Sequence, residues 1–158
     1  MRHRNRRNGR GFTLLELVIV VVILGIIAAI AIPRMSRGSA GAADSALSGN
    51  LAVLRNAIDL YSAEHDGAYP KLATFEAQVT TYTDAAGAAQ ATKDNPHCYG
   101  PYIRAIPPLP VGADKGKTSF IGTYTAGNGW VYDETTGTVS ANCNSTEKDY
   151  TGKLYSAY

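Results

Sequence analysis

Apolar residues run almost without a break from Phe12 to Ile32 and then thin into a periodic pattern. At 1.5 Å rise per residue this run makes a helix of about 30 Å, the thickness of a bilayer core. Residues 12–33 are therefore predicted to form a membrane-spanning helix. Downstream, Ala43, Leu47, Leu51, Leu54, Ile58 and Tyr61 recur at steps of three and four, the signature of an amphipathic helix. Residues 34–66 are predicted to continue the first helix, with Asp66-Gly67 and the nearby Pro70 as its stop signal. Arg55 and Asp59 stand four residues apart on the other face, a spacing that suits an ion pair. Gly25 and Pro33 weaken the helix, since proline removes a backbone donor and crowds the preceding turn. Gly38, Gly41 and Gly49 lower helix propensity by about 1 kcal/mol each relative to Ala.

Beyond Tyr69 the periodicities are shorter. Ala73 to Tyr82 fits one or two helical turns with Phe75 and Val79 inward, and Asp84 to Pro96 reads as a surface loop. Tyr99 to Pro110 carries four prolines, which predicts a stiff, extended segment. Three strands are expected at Ser119–Thr125, Gly129–Asp133 and Thr138–Asn142, the last two joined by a hairpin loop at Glu134–Gly137. Phe120, Tyr124, Trp130, Tyr132 and Val139 give them enough bulk to cover one face of a helix. The tail from Asn144 to Tyr158 is polar and reads as a surface segment. The expected class is α+β: a long N-terminal helix packed on a small antiparallel β-sheet, with residues 67–158 as the globular part.

Charge changes the picture at the N-terminus. The formal net charge is +2, but Arg2, Arg4, Arg6, Arg7 and Arg10 supply five of the 15 basic residues, leaving ten against 13 acidic ones. No nucleic-acid footprint follows, because a binding domain would cluster its Lys and Arg on the folded part. The ten tyrosines could stack on bases, but no basic run accompanies them, and nucleic acid is not expected as a partner. Five arginines precede the apolar run, whereas Arg34 and Arg37 follow it, so the N-terminus is expected in the cytoplasm and the rest outside it.

Candidate chemistry is sparse. Cys98 and Cys143 are the only cysteines, and an even count beyond a membrane segment suggests a disulfide in an oxidising compartment. Such a bond would close a long loop worth roughly 4 kcal/mol in chain entropy; two unpaired thiols are the alternative. His97 and Cys98 are sequence neighbours, whose side chains point apart in extended chain, so they make a poor nucleophile and base. Neither a phosphate-binding glycine loop nor paired-cysteine zinc spacing occurs. An enzyme is not expected. Glu16 is the exception in an apolar setting, since a carboxylate near the centre of a span costs about 2.5–3.5 kcal/mol unless something offsets it.

The block Gly11-Phe12-Thr13-Leu14-Leu15-Glu16-Leu17-Val18-Ile19-Val20 resembles the prepilin signature of type IV pilins and type II secretion pseudopilins. The resemblance implies cleavage after Gly11 by a prepilin peptidase on the cytoplasmic side and N-methylation of Phe12. Residues 1–11 are then a discarded leader, and the apolar run stays on the mature chain. An ordinary signal peptide would instead be cut beyond the run, near Ala28, Ala29 and Ala31. The resemblance further implies that Glu16 attracts the Phe12 amino group of a neighbouring subunit, and that Gly25 and Pro33 mark local unwinding. Its partners would be other copies or other pilins, the peptidase and an inner-membrane assembly platform. The precursor would sit in a bacterial inner membrane, its C-terminal part periplasmic or, after assembly, in an extracellular filament.

Gly100-Pro101-Tyr102-Ile103 with Ile106-Pro107 looks like the segment before the sheet in major pseudopilins, although Leu109-Pro110-Val111-Gly112 replaces their usual aspartate, proline, tryptophan and glycine. The expected function is thus a structural subunit of a secretion pseudopilus, with a type IV pilin for adhesion or motility, or a DNA- or surface-binding minor pilin, as alternatives. No cofactor is expected. Many major pseudopilins hold calcium; here Asp114 and Asp133 are the candidate donors, opposed by Lys115 and Lys117, and calcium needs six to eight oxygens.

Overall fold

The computed structural model describes residues 12–158, with the side chains of residues 32–38 outside that description. The predicted leader, Gly11 included, lies outside the described residues. One helix, α1, runs from Leu14 to Glu64, and the chain divides into two compact units, Met1–Gly38 and Ser39–Tyr158.

In the second unit the predicted stripe is the core. Leu47, Leu51, Leu54, Ile58 and Tyr61 are buried on α1. The helix stops at Asp66 and Gly67, both at positive φ, and Gly67 N–H donates to the Ser62 carbonyl at 2.9 Å, closing the orphaned last turn. A 3₁₀ turn at Leu72–Thr74 leads into α2, Phe75–Thr80, whose Phe75 and Val79 point inward as the spacing predicts.

The sheet covers the stripe. Strands β3 (Phe120–Ile121), β4 (Trp130–Asp133) and β5 (Thr138–Ala141) lie in that order. β4 and β5 form the antiparallel hairpin, with Trp130 facing Ala141 and Asp133 facing Thr138. Strand alternation buries Trp130 and Tyr132 on β4 and Val139 and Ala141 on β5. β3 adds to β4 in parallel and is only two residues long, shorter than the Ser119–Thr125 strand expected. The buried Asn142 side chain accounts for the difference. Its Nδ2 donates to the carbonyls of Thr125 and Asn128, and its Oδ1 accepts from Thr125 N–H, so the chain after Ile121 is drawn into a loop. Gly129 closes that loop against Lys117, whose carbonyl oxygen would lie 2.4 Å from an added Cβ.

Three segments carry more structure than their composition suggested. The stretch expected to be a loop from Asp84 to Pro96 contains β2 (Ala89–Gln90), paired antiparallel with β1 (Tyr82–Thr83). The Asp84 carboxylate sets up the turn by accepting from Ala86 N–H and Ala88 N–H. The Pro-rich segment has no regular structure, yet it buries Ile106 and Leu109, and Val111 just after it is buried too. Val79 carbonyl holds it through Tyr102 N–H and Ile103 N–H, and Trp130 Nε1–H donates to Pro107 carbonyl at 2.9 Å.

The polar tail lies at the surface as expected, with Asp149 its one buried residue, and it is tied down by hydrogen bonds. A 3₁₀ turn at Tyr155–Ala157 packs beside the core, and Tyr155 O–H donates to Asp44 Oδ1 of α1 at 2.9 Å. Arg55 Nη2 donates to the carbonyls of Val139 and Tyr158, at 3.3 and 2.6 Å. That engagement explains why the expected Arg55–Asp59 pair does not form: among the described residues the ion pair is His97 with Asp94.

Candidate functional site

The first unit has the opposite character to the second. Leu14–Ala31 is 18 residues of apolar helix with nothing buried. Phe12 is 79% exposed and Ile30 59%. A helix apolar on every side belongs in lipid or inside a protein core. Exposure of this kind costs about 25 cal/mol per Å² of apolar surface in water, so the segment calls for an apolar cover. Its length and composition suffice to cross a membrane.

The one carboxylate in that segment is built into the helix start. Thr13 is the N-cap: its carbonyl accepts from Leu17 N–H, the first bond of the helix. Its hydroxyl oxygen accepts from Glu16 N–H at 3.2 Å. In return Glu16 Oε2 accepts from Thr13 N–H and from Thr13 Oγ1–H, both at 2.8 Å. This is a capping box, in which cap and third helical residue satisfy each other's orphaned backbone donors. The pattern Thr-x-x-Glu before an apolar run was its sequence signal, and the reading of Glu16 as a charge in search of an external partner passed over it. Both bonds converge on Oε2; among the described residues Oε1 takes none. Glu16 can therefore stay capped within its own chain while still offering an oxygen to a cation outside it.

The helix-weakening positions sit inside α1, which is helical across both Gly25 and Pro33. A Cβ at Gly25 would meet nothing within 4 Å, so packing within the chain does not demand glycine there. The Pro33 side chain lies outside the described residues.

The remaining candidates do not converge. The expected disulfide is not formed: Cys98 is free and exposed, Cys143 free and buried. Cys98 precedes Tyr99, which bridges to Thr83, whereas Cys143 follows β5 and packs beside Gly112 and Glu147. Burial first, then the Glu147 and Asp114 charges, pushes the Cys143 thiol up to about 12, so it stays protonated and unreactive.

The calcium candidates are likewise kept apart. Asp133, at the far end of β4, holds the hairpin through Thr135 and Thr136. Asp114 instead accepts from Gly127 N–H, close to where β4 begins. Opposite ends of a four-residue strand are too far apart for one ion, and no group of three or more His, Cys, Asp or Glu gathers among the described residues. His97 turns to Asp94 at 2.7 Å rather than to its neighbour Cys98. His65 is buried among backbone carbonyls.

A family profile described as the prokaryotic N-terminal methylation motif matches residues 6–32. No curated protein and no solved structure matches the chain. The matched segment holds Phe12, the capping box and nearly all of the exposed apolar helix. The N-terminal part of the chain is thus similar to proteins that carry this methylation motif, and the motif lies over a single apolar helix that leads into a small α+β part.

Proposed function

We propose that this pilin-like structural subunit is a type II secretion pseudopilin, cleaved between Gly11 and Phe12 and N-methylated at Phe12, whose copies stack through the apolar half of α1 in a filament that supports protein export. The observation that carries the reading is the methylation motif at residues 6–32 laid over an apolar helix with no buried residue. A subunit with such a surface is held by lipid before assembly and by neighbouring subunits after it. Glu16 then serves register: its free oxygen faces the position where the new amino terminus of a neighbour arrives, and the low dielectric favours the paired arrangement over a shifted one. The arginine-rich leader keeps the cleavage site on the cytoplasmic side. The resemblance of Gly100–Pro107 to the corresponding pseudopilin segment supports the secretion role over an adhesive or motile pilus.

Three measurements test this. Mass spectrometry of the mature chain should find an N-terminus at methylated Phe12; an N-terminus beyond Ala31 would establish ordinary secretion instead. Glu16→Ala should leave a membrane-bound monomer that no longer forms filaments, and unchanged filaments would sink the register role. Deleting the gene should abolish export of folded proteins through the outer membrane; a loss of surface motility with export intact would make the chain a type IV pilin.

A further inference from the structure

Just beyond β5 the chain passes through Asn144-Ser145-Thr146. An asparagine followed two positions on by Ser or Thr, with any residue but proline between, is the pattern in which a carboxamide nitrogen accepts a sugar. No other asparagine of the chain has that context: Asn95 is followed by Pro96 and His97, and Asn142 by Cys143 and Asn144. Such a triplet also arises by chance, so the geometry decides.

The triplet folds into an Asx turn. Asn144 Oδ1 accepts from Thr146 N–H at 2.8 Å and from Thr146 Oγ1–H at 2.5 Å. The two donors fix the carboxamide's orientation, because its oxygen and not its nitrogen must face them. That leaves Nδ2, which has no partner among the described residues. It is not buried either, since the buried side-chain atom without a partner there is Asp44 Oδ2. The backbone beneath is held: Asn144 N–H donates to Glu147 Oε2 at 2.8 Å, and Glu147 N–H to the Asn144 carbonyl at 3.2 Å. Ser145 and Thr146 are exposed.

Other asparagines are engaged differently. Asn50 Nδ2 donates to the Pro108 carbonyl and Asn128 Nδ2 to the Thr125 carbonyl. Asn142, two residues before the triplet, is buried and gives its amide hydrogens to the carbonyls of Thr125 and Asn128. Asn144 instead presents an open amide on a fixed turn, with the Thr146 hydroxyl already on its oxygen. A carboxamide nitrogen is a poor nucleophile, because its lone pair is delocalised into the carbonyl. Donors on Oδ1 draw density toward the oxygen, which makes an N–H easier to give up as a new bond forms at nitrogen.

We propose that Asn144 is a glycan acceptor: in the compartment that the globular part enters, its Nδ2 attacks the anomeric carbon of an oligosaccharide carried on a lipid diphosphate. The C–N bond forms as the anomeric C–O bond breaks. The lipid diphosphate leaves with that electron pair, and one Nδ2 proton passes to a base of the transferring enzyme. The proposal rests on the placement of residues 67–158 outside the cytoplasm and not on the secretion role.

The test is mass spectrometry of the full chain purified from the membranes of the cell that makes it. The tryptic peptide from Thr118 to Lys148 should carry a sugar mass, and electron-transfer fragmentation should place it on Asn144. Asn144→Asp, which keeps the acceptor oxygen of the turn, and Thr146→Ala should each lose that mass completely, whereas Thr146→Ser should keep it. Fluorescence of the buried Trp130 reports that each variant is folded. A sugar that survives Asn144→Asp sits on a hydroxyl of the turn and overturns the proposal, as does one that survives Thr146→Ala. A bare peptide from the wild-type chain overturns it too, and protease added to spheroplasts shows what else falls. Digestion of the globular part leaves its export standing and removes the acceptor alone; protection removes both.

Discussion

The two ends of α1 share one backbone geometry and have opposite relations to solvent. From Leu14 to Ala31 the helix is apolar on all sides and nothing is buried, so that Leu14 is 81% and Leu24 58% exposed. From Ser39 onward the apolar residues keep to one stripe, and Leu47, Leu51 and Leu54 on it are at most 1% exposed. Local propensity does not separate these segments; the distribution of apolar residues around the axis does. A helix apolar all round recruits its solvent from outside the chain, whereas a striped one finds it in the sheet its own chain supplies. Stability of the folded part should therefore rest on the second segment, and attachment and assembly on the first.

The most severe way to break this division is a pair of matched truncations. Leu54→Ala removes a fully buried side chain facing the sheet and should cost about 2–5 kcal/mol of unfolding free energy, transfer and cavity together. Ile23→Ala, 50% exposed in the apolar run, should change the same quantity by less than about 0.5 kcal/mol. Urea titration in detergent reports both cleanly, because Trp130 is the only tryptophan and lies in the core. Equal losses would mean that the apolar run packs on the globular part and that the two segments are one body.

A smaller effect sharpens the account of the first segment. Thr13→Ala deletes the cap hydroxyl and with it two of the three bonds that join Thr13 to Glu16. It should cost about 1 kcal/mol of local helix stability, the usual worth of a Ser or Thr N-cap. Hydrogen exchange of the amides of residues 14–17 should quicken about fivefold, while exchange around Leu54 stays as it was. Thr13→Ser should restore protection. If alanine leaves the first turn protected, the capping box contributes little and Glu16 depends on partners outside its chain.

Legibility followed the same division. The apolar run, the stripe from Leu47 to Tyr61, the stop at Asp66-Gly67 and the β4–β5 hairpin could all be read, because each rests on a short-range period or on turn chemistry. What escaped depends on one side chain meeting distant backbone. Asn142 shortens β3 by bonding Thr125 and Asn128, and nothing in the local sequence marks an asparagine as buried. Arg55 was read against its helical neighbour Asp59, yet it reaches Val139 and Tyr158 across the fold. The cysteine count said nothing about place: Cys98 is exposed, whereas Cys143 belongs to the buried core. At the site, Phe12 and Glu16 were evident from the motif. The capping box was equally local and could have been read from Thr13-x-x-Glu16.

The tail gives the finest test of the second segment, because it is held by ionisable groups. Asp149 is kept well below the usual carboxylate range, chiefly by the Tyr158 hydroxyl, against some desolvation, and then by Thr151 and backbone amides. A depressed carboxylate stabilises the fold above the unfolded value, near pH 4, and loses that contribution as the pH falls through the folded one. Tyr155 and Tyr158 are pushed the other way, up to about 12, Tyr155 by burial and then Asp44, Tyr158 by its bond to Asp149 and then burial. Their neutral forms favour the fold below the unfolded value, near pH 10, and that advantage disappears as the pH rises toward 12. Tail amides from Lys153 to Tyr158 should thus be best protected between about pH 5 and pH 9, and open at either extreme before Trp130 reports unfolding. Tyr158→Phe removes the leading cause of the Asp149 depression and should flatten the acid side of the profile most, leaving the Tyr155–Asp44 bond to hold the alkaline side. A profile unchanged by that substitution, or a tail that opens only together with the core, would show that apolar packing alone holds the tail on α1.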